Sequence, residues 1–290
     1  MEKQTVATLI NVVAHPHDGP DTYRKLFRAA NDLDRAVRIH GDRYGWMSFL
    51  REEDGPDGPL LTGYIATFVK IDMDGAWIDM STRSAAEDSK IETVKDVVAG
   101  LQPNFHEFRF YVDLPRHLVA VETSDGKRTI SPRMAEKFFT LLFSADPIID
   151  SFGDVEVSYI PDKEALNRII GSRYLRKLTI HFTRPNADSL SELERRVMDK
   201  LGEMGARSSD VTYSAARGDT LKLPDEVKDL ARVARRNGYV EGNVAGETFS
   251  TKDHPIEKHR TYDERVQDRA SAFYGLAREL VETEANPSTD

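Results

Sequence analysis

Three groups of side chains have types and spacings that could do chemistry. His15-Pro16-His17-Asp18 puts two imidazoles two residues apart at the end of an apolar run, one way for a divalent ion to find two nitrogen ligands. His40, His181, His254 and His259 are the candidates for completing that set, and none has a diagnostic spacing. Asp154-Val155-Glu156 followed by Lys163 carries the paired carboxylates and nearby lysine of metal-dependent nucleases, although Ser158 stands where such motifs place a lysine. The third group is cationic: Arg173, Arg176, Lys177, Arg184, Arg217, Lys222, Arg232, Arg235 and Arg236. Gathered on one side of a sheet, these would hold phosphates without reading bases, so that binding would be indifferent to sequence and sensitive to salt.

Each group also has a plain structural explanation. Pro16 fixes a turn without any metal, and carboxylates at alternate strand positions face solvent. Arginines near a helix C-terminus complement its dipole. The familiar phosphate loops, G-x-S-x-G elbows and kinase signatures are missing. With no cysteine, disulfides, thiol nucleophiles and thiolate metal sites are excluded. The sequence therefore points to no catalytic residue, resident metal or cofactor, and a binding protein fits it better than an enzyme.

Charge agrees in part. The chain carries -9 overall, whereas residues 151 to 240 hold 16 Lys and Arg against 14 Asp and Glu. That middle segment is relatively basic inside an acidic chain, although a balanced solvated surface would look the same. No apolar run approaches the roughly 18 residues needed to span a bilayer, and the start lacks a signal-peptide pattern, so a cytoplasmic location is expected.

The elements that must position the cations are best specified from Arg173 to Leu201. Leu178, Ile180 and Phe182 alternate with polar residues, the period of a strand with one buried face. Pro185 stops it, Ser189 and Glu192 have capping-box spacing, and Leu190, Leu193, Val197 and Leu201 recur at helical intervals. Upstream, residues 5–14 read as a buried strand, and Asp21 as the cap of a helix bearing Tyr23, Leu26 and Phe27. Strands follow at 45–50 and 60–71, a hairpin at Asp74-Gly75, a short polar helix over 84–100, strands at 108–112 and 118–122, and a helix opened by Ser131-Pro132. Past residue 150 the order is strand 155–160, helix 162–170, the central strand and helix, strand 211–216 and helix 225–236. Asn237-Gly238 is expected to end that last helix as a left-handed cap. A hairpin over 239–250 and an amphipathic helix over 262–282 close the chain. The expectation is an α+β protein of two domains, 1–150 and 151–290. Its sheets should be mostly antiparallel with helices on one face, the second arranged as in ferredoxin-like units.

The whole span from Thr5 to Leu280 resembles an uncharacterised family of bacterial and phage proteins of this length. The residues that carry it are Asn11 with Ala14-His15-Pro16, Ile39-His40-Gly41-Asp42, Ser131-Pro132, Phe143-Ser144, Phe152-Gly153, Thr183-Arg184-Pro185-Asn186, Asn237-Gly238-Tyr239, Asp253-His254-Pro255 and Arg260-Thr261-Tyr262. More distantly, element order and length resemble the A component of the Rex phage-exclusion system, with LTIHFTRPNAD leading into a helix. That likeness implies a two-domain homodimer that binds DNA non-specifically, and it transfers no individual residue. The expectation is thus a non-enzymatic DNA-binding dimer in phage exclusion or a prophage switch, using the nine cations above. The first alternative is a protein-interaction or sensor module that meets a phage protein or membrane effector through its acidic first half and through Trp46 and Trp77. The second is a metal-dependent hydrolase or nuclease built on His15 and His17. The closing helix is the expected dimer contact.

Overall fold

The computed structural model describes residues 2–15, 19–55, 58–184 and 192–285. The chain begins with β1 (Glu2–Ala14), α1 (Pro20–Asp32), β2 (Val37–His40), β3 (Arg43–Gly55) and β4 (Gly58–Val69). A small lobe follows, made of β5 (Ile78–Asp79), β6 (Ser84–Ala85) and α2 (Asp88–Val97). Next come β7 (His106–Asp113), β8 (Leu118–Ser124), α3 (Pro132–Phe143), α4 (Asp146–Phe152) and β9 (Val155–Tyr159). The second half contains α5 (Lys163–Ile170), β10 (Leu175–Thr183), α6 (Glu192–Glu203), β11 (Ser208–Ser214), α7 (Asp225–Arg236), β12 (Gly238–Val244) and β13 (Glu247–Ser250). It closes with β14 (Glu257–Asp263) and α8 (Arg269–Ala285).

The architecture is α+β with antiparallel sheets. In the larger sheet the strand order is β14-β1-β8-β7-β4-β3-β2, and β9 also pairs with β1. From Val6 onward β1 is buried on both faces, which its continuous apolar run requires. One edge of it faces β8; the other is shared end to end by β14, along residues 2–8, and β9, along residues 10–14. α1, α3 and α4 cover one sheet face through Tyr23, Phe27, Phe139, Phe143 and Ile148. α8 covers part of the opposite face with Phe273, Leu276 and Leu280. The smaller sheet, β11-β10-β12-β13, buries Leu178, Ile180, Phe182 and Val240 against α5, α6 and α7. β11, α7 and β12 make one split β-α-β unit around β10, the ferredoxin-like element. The chain then returns as the β12–β13 hairpin rather than through a second helix.

Several expectations are corrected. β9, β14 and α8 complete the larger sheet, so a cut at residue 150 does not separate the two sheets. Tyr262 lies in β14 and the last helix begins at Arg269. The apolar stripe of α8 packs against its own sheet. α1 starts at Pro20 after Gly19, whose φ is 95°, and Asp21 instead pairs with Arg24 and Lys25. Asn237 has φ of -126° and is not a left-handed cap. Ile78–Asp79 pairs with Ser84–Ala85 and not back onto β4. Ser131 does cap α3, accepting from the Met134 amide at 3.2 Å. Pro185, Ser189, Leu190 and the Leu193 side chain lie outside the described residues.

Candidate functional site

The nine cations separate into two groups because β10 has two ends. Eight residue steps at about 3.3 Å place Leu175 and Thr183 about 26 Å apart. At the Leu175 end, the Ala215 amide donates to the Arg176 carbonyl and the Leu221 amide to that of Leu175. Lys177 stands opposite Ser214. These contacts bring Arg173, Arg176, Lys177, Arg217 and Lys222 to one end of the smaller sheet, and all five are exposed. Among the described residues, no carboxylate lies within ion-pair distance of any of them. The Arg173 guanidinium sits 4.8 Å from the half-exposed Tyr174 ring. The adjacency Arg173-Tyr174 was readable in the sequence, but its exposure was not, and it adds an aromatic surface to the cationic one.

The other four cations are engaged elsewhere. The Arg184 Nε donates to the Ala206 carbonyl at 2.9 Å. Arg232 pairs with Asp229 on its own helix, and Arg236 lies 4.0 Å from Glu194. Arg235 leaves the surface altogether: it is 5% exposed and ion-paired with Glu284. A single trough of nine cations is therefore not formed.

A second feature is a cleft of about 1030 Å³ between the two sheets, roughly the upper size of small-molecule sites. One wall is the helix-free face of the smaller sheet. There His181 stacks on Tyr239 at 4.7 Å, its Nδ1 is 2.8 Å from Asp210 Oδ1, and the Lys252 ammonium lies 3.4 Å from the Tyr239 ring. The opposite wall is α3 and β9. Burial raises the Glu136 carboxyl above its ordinary range, and it raises the Tyr159 phenol likewise. Arg133 pairs with Asp253, and its guanidinium is held above its usual value first by Tyr159. Arg207, unremarked in the sequence, bridges the walls by donating to Glu156 at 2.6 Å and Asp154 at 3.0 Å.

These pairings decide what the cleft can do. Its two arginines, Arg133 and Arg207, are paired with carboxylates and so are not free to hold a phosphate. The Asp154 and Glu156 pair is occupied by Arg207 and not arranged around a metal. His181 is an oriented imidazole, but among the described residues no hydroxyl is hydrogen-bonded to it as a nucleophile. No cluster of three metal-ligating side chains occurs among the described residues. His17 lies outside them, and the His15 Nε2 faces the Arg184 carbonyl at 3.5 Å.

The chain belongs to a family whose model, described as domain of unknown function DUF4747, matches residues 3–278. The match thus takes in both sheets and most of α8. No curated protein matches the chain. No helix among the described residues is long and apolar enough to cross a membrane.

Proposed function

We propose that the protein binds DNA non-specifically, through phosphate contacts made by Arg173, Arg176, Lys177, Arg217 and Lys222. One observation carries the reading: these five cations are exposed, adjacent and unneutralised, whereas most other arginines of the chain have carboxylate or carbonyl partners. Five phosphate contacts on duplex DNA would give a log K against log salt slope of about -4.5, hence modest affinity at physiological ionic strength. A dimer would double the contacts on one duplex. The likeness to the A component of the Rex system supplies the setting, a cytoplasmic homodimer serving phage exclusion or a prophage switch.

A mobility-shift titration at low salt, with duplex and single-stranded DNA, tests this reading against the triple variant R176E/K177E/R217E. Wild-type protein should shift both probes and the triple variant neither. No shift with any probe ends the proposal, and an unaffected variant moves the site elsewhere. A second reading, a protein-interaction module, is favoured by a different observation, the exposed lobe between β4 and β7.

A further inference from the structure

We propose that the lobe of residues 70–105 is a docking site for a basic amphipathic helix of another protein. This inference is independent of the DNA reading, since the lobe and the five cations belong to different sheets.

The lobe is inserted between β4 and β7, which are neighbours in the larger sheet. Its helix α2 has ten residues and none of them is buried. A helix that short is marginal in water, and in a folded protein its stability ordinarily comes from burying an apolar face. α2 has such a face: Ile91, Val94 and Val98 recur at helical spacing, with Val97 beside them and Leu101 just beyond. That face is only partly covered, with Ile91 and Val98 half-buried and Val94 exposed, and the apolar residues at its edge are bare. Val97 is 72% exposed, Leu101 65%, and Met80 on the adjoining ribbon 79%. Ile78, Val94 and Phe105 are exposed as well, so about a tenth of the chain holds six of the thirteen large apolar side chains in that state among the described residues. Concentration of this kind marks an interaction surface, whereas scattered exposed side chains do not.

Charge selects the occupant. Residues 70–105 contain seven Asp and Glu against four Lys and Arg. Two of the cations are spent inside the lobe, Lys90 on Asp79 and Lys95 on Asp74, which ties α2 to the β5–β6 ribbon. A third, Lys70, sits over the Tyr44 ring at 5.5 Å. Glu87, Asp88, Glu92 and Asp96 have no cation within ion-pair distance among the described residues. An apolar stripe with an acidic rim repels a polynucleotide, an anionic bilayer and a second copy of itself. It attracts a helix with leucine-type anchors along one side and lysines flanking them.

The test titrates the full-length protein with an 18-residue synthetic peptide of leucine and lysine at helical spacing, against a scrambled peptide of the same composition. The readout is the emission of Trp77, half-buried within the lobe, in a Trp46→Phe background. The ordered peptide should bind at least tenfold more tightly than the scrambled one. V97D/L101D should lose that preference, as should the charge reversal E87K/E92K, which leaves the apolar stripe in place. Equal binding of the two peptides would overturn the proposal, and so would binding that neither variant weakens. Sedimentation of the wild-type chain as a dimer that V97D/L101D dissolves would overturn it too, by making a second copy the occupant.

Discussion

Arg235 on α7 and Glu284 on α8 form an ion pair in the interior, with 6% and 1% of their side chains exposed. The same guanidinium donates to the Pro161 carbonyl at 2.7 Å. One arginine thus fastens a helix of the smaller sheet to the helix that covers the larger one. Removing it leaves a carboxylate buried without its partner, which typically costs about 3–5 kcal/mol. Arg235→Met should therefore lower the melting temperature sharply, while R235M/E284L, which replaces both charges with apolar groups, should recover most of the loss. Thermal denaturation of both variants checks this. A double variant no more stable than the single one would show that the contribution comes from packing and not from charge.

The same pair shows where the sequence stops being informative. Alternation of Leu178, Ile180 and Phe182 identified β10 and its buried face, and Ser131-Pro132 identified the start of α3, because those signals are local. Arg235 lies one helical turn past the buried Ala231, on the inner side of α7, so its burial has a local trace. Its partner, however, is 49 residues away and visible only once α8 is placed. β9 and β14 were legible as strands, but their joint pairing along one edge of β1 was not, because period-two patterning says which face is buried and nothing about the neighbour. The cationic site was half legible for the same reason. Arg173, Arg176 and Lys177 are adjacent in the sequence, while Arg217 and Lys222 join them only through β10–β11 pairing and the Leu221 contact.

On the proposed DNA reading, position along β10 should separate the cations in their effect on binding. Arg232 is exposed but paired with Asp229 on α7, at the other end of the sheet from Arg176. R232E should leave DNA affinity within about twofold of wild type, whereas R176E alone, removing one phosphate contact and adding repulsion, should reduce it several-fold and flatten the salt slope by about 1. Equal losses in the two variants would mean that net charge, and not a local site, governs binding.

On the same reading, Tyr174 should separate single strands from duplex. A base stacked on an exposed aromatic ring contributes about 1–3 kcal/mol, and duplex bases are not available for it. Tyr174→Ala should weaken single-stranded binding by about that amount and leave duplex binding nearly unchanged. Fluorescence anisotropy with both probes decides the matter, and an equal effect on the two would remove stacking from the site.

Gly238 opens β12 beside the cleft with φ of 154°, and a Cβ there would lie 2.1 Å from the His181 carbonyl oxygen. The obstacle is backbone on the neighbouring strand, which has no side-chain freedom to yield. Gly238→Ala should cost about 2–3 kcal/mol through strand displacement and disturb the stacked His181–Tyr239 pair. Chemical denaturation measures the loss, and a change below about 0.5 kcal/mol would show that the two strands separate there at little cost.

Glu136 gives the cleft a pH signature. Burial raises its carboxyl above the ordinary range, so the folded state holds the proton more tightly than the unfolded chain. The sign follows from linkage: the folded state's advantage at this position is complete at pH below the unfolded value and is lost as pH rises through the folded one. Its Oε1 accepts from the Tyr159 amide at 3.3 Å, a contact that an amide oxygen preserves. Glu136→Gln should therefore match the wild-type melting temperature near pH 4 and exceed it at pH 7, the gap opening across the raised titration. A variant that matches wild type near pH 4 but is less stable at pH 7 would mean that the ionised carboxylate is held by Arg133 beside it and Lys252 across the cleft strongly enough to outweigh its desolvation.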